Sequence, residues 1–279
     1  MKTKTDPIVN LLVRHVKANK LLFKSYDFSN KLQKYSIKEY LIEIMYVLKT
    51  GIAWRDIRSH INWNSIYKNY IKLNEHNIFE LSYIQLLKKY VKKNPNGKLK
   101  YVLTDTSFIP NKKGIDVVTL WVDLIGLNTF YNRKKGTKIS LITDSKGIPF
   151  NVKCYMGNWY DSNILMTQLK TENLVLNNHI DKYKDYFLAD PGYDSKALKT
   201  ELEKEGYKRI LIPQNKRNIN DIKKIKRFTD EEKNIYKKRL KIENTFCKMK
   251  NNRRICMRYD SKIENFMGFV YLSLIKLLR

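Results

Sequence analysis

The chain has 279 residues, with 55 Lys and Arg against 27 Asp and Glu, a formal net charge of +28. That length accommodates a large core and two domains, and that excess of cations calls for a polyanionic partner, nucleic acid first. The three cysteines, Cys154, Cys247 and Cys256, include no Cys-x-x-Cys pair, which argues against a disulfide framework or zinc site and fits a reducing compartment.

The N-terminal MKTKTDPIVNLLVRHVKANK lacks the uninterrupted apolar stretch of a signal peptide. Ser36-Ile-Lys-Glu39 is a capping box. Ile37, Tyr40, Leu41, Ile44, Val47 and Leu48 follow at helical spacing, and Gly51 is the stop. A short segment at Trp54–Ile57 leads through a turn at Asn62 into a second helix over Trp63–Leu73. Helix, turn and helix with aromatics between basic residues suits either a DNA-binding bundle or a packing and dimerisation module. Lys92–Lys98 holds Pro and Gly and reads as a linker. The expected division is a helical domain over 1–95 and a second domain over 98–279.

Beyond the linker the pattern turns to β. Lys100–Thr104 is a short strand ending at Asp105. Thr137–Thr143 and Ile148–Tyr155 flank Asp144-Ser-Lys-Gly147, a hairpin signal. The stretch Asp116–Tyr131 is unusually apolar and fits no predicted element. Asp161-Ser162 is an N-cap for a helix through Leu169. Tyr186–Ala189 is a strand ending at Asp190, a helix spans Ser195–Glu205, and Arg209–Ile212 is a fifth strand. A long basic helix carries Glu243. Phe266–Leu278 is too short to span a bilayer and is interrupted by Lys276, so it reads as a buried C-terminal helix. The layout is α/β, with a mixed sheet flanked by helices behind a small all-α N-terminal domain.

Three acids stand out. Asp105 and Asp190 each close a short apolar strand, where ligands of open α/β sheets gather. Glu243 lies in Tyr236-(2)-Arg239-(3)-Glu243-(6)-Lys250. On a continuous helix at about 100° per residue these four side chains fall within roughly 60° of one another. Each acid alone has an ordinary reading: Asp105 and Asp190 as turn residues, Glu243 as the i+4 ion-pair partner of Arg239. Converging, three carboxylates repel one another unless cations neutralise them, and two Mg²⁺ ions shared with DNA phosphate would do so. No Gly-rich Walker loop is present, which argues against a nucleotide-driven motor.

The Tyr-(2)-Arg-(3)-Glu-(6)-Lys pattern resembles the signature of bacterial insertion-sequence DDE transposases. Ala189-Asp190-Pro-Gly-Tyr193-Asp-Ser195 and Thr104-Asp105-Thr-Ser107 resemble the segments around that family's two aspartates. Gly136-Thr-Lys138, Asp144-x-x-Gly147-x-Pro149 and Gly157-x-x-x-Asp161-Ser162 follow in the family's order. Leu48–Ile57 and Trp63–Tyr67 resemble its N-terminal helical domain. Pro191 departs from the pattern and lacks an amide donor. The resemblance implies an RNase H-like core with Asp105, Asp190 and Glu243 as catalytic and metal-binding acids. It implies DNA contacts from Tyr236, Arg239, Lys250, Lys138 and Arg55. It implies two Mg²⁺ ions, replaceable by Mn²⁺, double-stranded DNA (element ends and target) as partner, a homodimer in the active complex, no membrane, and an intracellular place with the genome. A non-catalytic DNA-binding descendant of a transposase and an RNase H-like repair or recombination nuclease are the alternative functions.

Overall fold

The computed structural model describes residues 6–18, 34–93, 101–112, 123–170, 186–216 and 227–278. In chain order the helices are α1 (Pro7–Ala18), α2 (Ile37–Thr50), α3 (Trp63–Glu75), α4 (Ile78–Lys93), α5 (Asp161–Leu169), α6 (Lys196–Lys204), α7 (Asp230–Tyr236), α8 (Leu240–Lys250), α9 (Arg253–Cys256) and α10 (Ile263–Leu277). The strands are β1 (Tyr101–Pro110), β2 (Gly126–Asn128), β3 (Lys134–Thr143), β4 (Pro149–Met156), β5 (Tyr186–Leu188) and β6 (Arg209–Leu211). Most of the expected linker, and residues 116–122 of the apolar stretch, lie outside the described residues.

The chain divides into two compact units, 1–89 with 249–279, and 90–248. Residues 249–279 therefore fold with the N-terminal helices.

In the helical unit, Ser36 caps α2 through a complete capping box with Glu39, and Gly51 ends it at φ 68°, a conformation that favours glycine. A Cβ at Gly51 would stand 3.1 Å from Cβ of Arg253, so the stop also admits α9 at close range. Asn62 caps α3 by accepting from the amide of Asn64. The core is aromatic: Tyr70 stacks on Phe269 at 4.5 Å between ring centroids, and Trp54 lies 5.9 Å from the same ring. The buried Arg254 donates to Asp260 at 3.0 Å and lies over Phe269 at 5.0 Å, so its charge is both paired and covered. α10 is the buried C-terminal helix its apolar sequence predicts.

The second unit is built on one mixed sheet, in the order β2-β3-β1-β5-β6, with β4 also on β3. β1 is central. It runs antiparallel to β3 from Leu103↔Thr143 to Pro110↔Gly136. On its other side it runs parallel to β5, but only over Tyr101–Leu103. β5 and β6 are parallel. β4 takes the outer edge of β3 over Thr137–Thr143 and β2 takes Lys134–Gly136. Three antiparallel strands followed by two parallel ones, with helices between them, is the RNase H-like arrangement.

The β3–β4 turn forms as its sequence predicts. Asp144 Oδ1 accepts from the amides of Lys146 and Ile148, and Gly147 takes φ 81°. The turn rests on α8, where the Thr245 hydroxyl donates to the Gly147 carbonyl at 2.6 Å. That contact lies two residues from Glu243, so the hairpin locates the helix carrying the third acid.

Four expectations need correction. β1 continues five residues past Asp105 to Pro110, because β3 pairs with it throughout. β2 is a sixth strand, inside the stretch that fitted no predicted element. The cap of α5 is Tyr160, not Asp161, and it makes no side-chain cap bond. The basic helix around Glu243 is not continuous: a 3-10 turn at Lys237–Arg239 separates α7 from α8. Tyr236 and Leu240 at the two ends of that turn are both right-handed helical, so Tyr236, Arg239 and Glu243 still share one face.

Candidate active site

Leu103 of β1 pairs with Leu188 of β5, and there the parallel pairing ends. Asp105 and Asp190 each lie two residues beyond that pair. They therefore stand level across the opening where β1 stays with β3 and the chain after β5 turns away. The turn is a 3-10 helix, Pro191–Tyr193, capped by Asp190, whose Oδ1 accepts the Gly192 amide at 2.7 Å. Pro191 fits its first position because no donor is needed there. Asp105 Oδ1 accepts the amide of Thr106 at 2.8 Å.

Arg239 closes the cluster. Its guanidinium donates to Asp105 Oδ2 at 3.3 Å and to Glu243 Oε1. The Arg239–Glu243 pair survives the break in the helix because i and i+4 remain on one side of a single turn. Tyr236 packs on the same guanidinium, 6.0 Å from its ring centroid. Burial draws the Arg239 pKa down, but Asp105, Tyr236, Glu243 and Asp190 outweigh that and hold it above its ordinary value.

The acids carry the cost of convergence. Burial, then the charge of Asp190, pushes Asp105 up to about 7, against the pull of Arg239 and the Thr106 amide. Asp190 is also raised, first by burial and then by Asp161 and Glu243, while the Gly192 amide and Arg239 lower it. Beneath them Tyr193 is fully buried, and burial followed by Asp161, Asp105 and Asp190 drives its phenol well above the ordinary range.

Of the residues singled out in the sequence, the fold brings Asp105, Asp190, Tyr236, Arg239 and Glu243 together. Lys138 reaches the cluster through a partner: its ammonium donates to Asp161 Oδ1 at 2.7 Å and to the Trp159 carbonyl at 2.8 Å. Lys250 ends α8, two turns past Glu243. Arg55 belongs to the helical unit, where its guanidinium lies over the ring of Trp63 at 5.6 Å. The residue that sequence reasoning placed in the wrong role is Asp161. The Gly157-x-x-x-Asp161-Ser162 pattern marked it, but its contacts come from β1 and β3 and are invisible to local spacing.

The donor set is all carboxylate, the hard oxygen chemistry that Mg²⁺ and Mn²⁺ take. Among the described residues no three acidic, His or Cys side chains converge tightly enough to hold one ion. Asp105 and Glu243 are instead bridged by Arg239. The chemistry fits a divalent cation, and Arg239 is the group that would have to yield to it.

The mixed sheet flanked by helices is an RNase H-like fold. Residues 126–275 match the family model for the transposase DDE domain, more than half of the chain, and the chain belongs to that family. The match takes in Asp190 and Glu243 and begins after Asp105. The protein is thus a DDE transposase, an enzyme of metal-dependent DNA strand cleavage and transfer. No curated protein matches the chain significantly. Among solved structures it is similar to the piggyBac transposase synaptic complex with hairpin DNA, at 11% identity over 97% of this chain and 71% of that one, with a TM-score of 0.52. The Mos1 transposase paired-end complex with left transposon end aligns at 13% identity over 93% of this chain and 81% of that one, with a TM-score of 0.28. No helix among the described residues is long and apolar enough to cross a membrane.

Proposed function

We propose that Asp105, Asp190 and Glu243 are the three acids with which this transposase cuts and joins double-stranded DNA, with two Mg²⁺ ions (or Mn²⁺) held on their oxygens. The observation that carries the reading is the level placement of Asp105 and Asp190 past the Leu103–Leu188 pair, with Glu243 tied to Asp105 through Arg239. Bound metal supplies activation of the attacking oxygen and stabilisation of the leaving one. The protein's own part is positional. Thr106 and Gly192 amides fix the two aspartates. Arg239, steadied by Tyr236, exchanges its carboxylate partners for a backbone phosphate, a bidentate role suited to a guanidinium. Lys250 adds positive charge beyond Glu243 on the same helix, and Lys138, the other lysine expected to contact DNA, is held by Asp161.

The helical unit serves DNA grip and self-association. Arg55 is exposed beside Trp63, and Ile42 and Tyr46 remain exposed one turn apart on α2. A homodimer holding two element ends, working with the genome inside the cell, is the arrangement this reading requires.

The test uses full-length protein and a supercoiled plasmid carrying the DNA that flanks the gene. Asp105→Asn, Asp190→Asn and Glu243→Gln should each abolish Mg²⁺-dependent nicking while leaving DNA binding intact. A variant that nicks like wild type removes that residue from the assignment. A wild-type protein that binds and never nicks, with Mg²⁺ or Mn²⁺, points to a non-catalytic DNA-binding descendant.

A further inference from the structure

Asp161 has more partners than a helix needs of its first residue. An acid in the first turn complements the helix dipole, and nothing further is required of it. Here Oδ1 accepts two bonds from two different strands: the Thr106 hydroxyl of β1 at 2.7 Å and the Lys138 ammonium of β3 at 2.7 Å. The pair is largely enclosed, with side-chain exposures of 12% for Lys138 and 28% for Asp161. Thr106 is two-handed, since its amide holds Asp105 while its hydroxyl holds Asp161. The other oxygen lies near Gly192, beside Asp190. A Cβ at Gly192 would stand 3.8 Å from Asp161 Oδ2 and 2.9 Å from Asp190 Oδ1. Asp161 is thus tied to the neighbour of one candidate acid and close enough to the other to raise its pKa.

The charges make the same point. Asp105, Asp161, Asp190 and Glu243 face two cations, Lys138 and Arg239. The carboxylates thus outnumber the cations that face them, an arrangement that added positive charge relieves.

We propose that Asp161 is a fourth carboxylate bordering the divalent-cation site, held in place by Lys138 and Thr106. This rests on the reading of Asp105, Asp190 and Glu243 as the metal-holding acids. Asp161 acts as a positioning residue. It supplies negative charge beside Asp190 and, by occupying Lys138, keeps that ammonium from pairing with the other acids and displacing the cation.

The experiment is calorimetric titration of the full-length, metal-free protein with Mn²⁺ alone, with a thermal melt of each variant in the same buffer. Asp161→Asn keeps an oxygen for Thr106 and removes the charge. It should weaken Mn²⁺ binding about 10–100-fold, the range for residues that support metal ligands, while melting like wild type without metal. Asp161→Glu, which restores the charge, should recover most of the affinity. A purely structural role would lower the melting temperature and leave the affinity of the folded protein unmoved. Mn²⁺ affinity of Asp161→Asn within about fivefold of wild type overturns the inference. Asp105→Asn separates the two levels. If it abolishes Mn²⁺ binding while Asp161→Asn does not weaken it, only the present inference falls. If Asp105→Asn binds like wild type, the underlying three-acid reading falls as well. Should Asp161→Asn fail to melt cooperatively, Asp161→Ser, which also keeps an oxygen acceptor, is judged by the same thresholds.

Discussion

Asp105 sets the pH behaviour of the site. Its carboxyl is pushed up to about 7 by burial and by Asp190, against an ordinary value near 3.9 in the unfolded chain. Between about pH 4 and 7 the folded protein keeps a proton that the unfolded chain has released, so stability contributed here falls as pH rises through that window. Metal binding runs the other way, because the ligand must be deprotonated. Mn²⁺ affinity should therefore be about tenfold weaker at pH 6 than at pH 8, with proton release on binding at the lower pH. A pH-independent Mn²⁺ isotherm over that range would contradict the assignment of Asp105. The three candidate acids were legible because each sits at a recognisable place, two after apolar runs and one in a spaced signature. Asp161 and Lys138 were legible only as a helix cap and a DNA contact, because what joins them is the β1–β3 pairing that brings Thr106 and Lys138 to one carboxylate.

Individual elements followed their local signals where the chemistry is local. The capping box at Ser36, the left-handed stop at Gly51, the Asn62 cap and the Asp144–Gly147 turn are all made by groups within a few residues of one another. Ser36→Ala should cost about 1 kcal/mol, the usual worth of an N-cap, seen as a lower urea midpoint for the helical unit; an unchanged midpoint would mean that tertiary packing alone holds the start of α2. Elements made by long-range contacts were not legible. β2 has three residues and no alternation to read. It exists because Asn128 donates to the Gly157 carbonyl at 2.7 Å and because Gly126 lets Asn158 approach. The 3-10 turn at Lys237–Arg239 is likewise silent in a helical sequence.

For the molecule as a whole, the +28 charge predicts that binding is dominated by released counterions. With 6–10 phosphates contacted, affinity should drop about 10³–10⁵-fold between 50 and 200 mM salt. Binding measured by fluorescence anisotropy across that range checks it, and a flat profile would mean that the cations serve something other than DNA. The broad class, an α/β catalytic region joined to a helical one, was readable from periodicity. The membership of residues 249–279 in the helical unit was not, since a buried apolar helix carries no mark of which core it enters.

That membership has a consequence for how the protein is born. The helical unit is written in two pieces, and the 159 residues from Tyr90 to Lys248 are synthesised between them. At 5–20 residues per second, α1, α2 and α3 wait roughly 10–30 s on the ribosome before Arg254 and Phe269 arrive to complete the stack around Trp54 and Tyr70. The sheet-bearing unit is finished first, although its chain begins later. A nascent transposase thus has its candidate cutting machinery assembled before its helical unit is whole, and a ribosome that stops short of α10 would release the former without the latter.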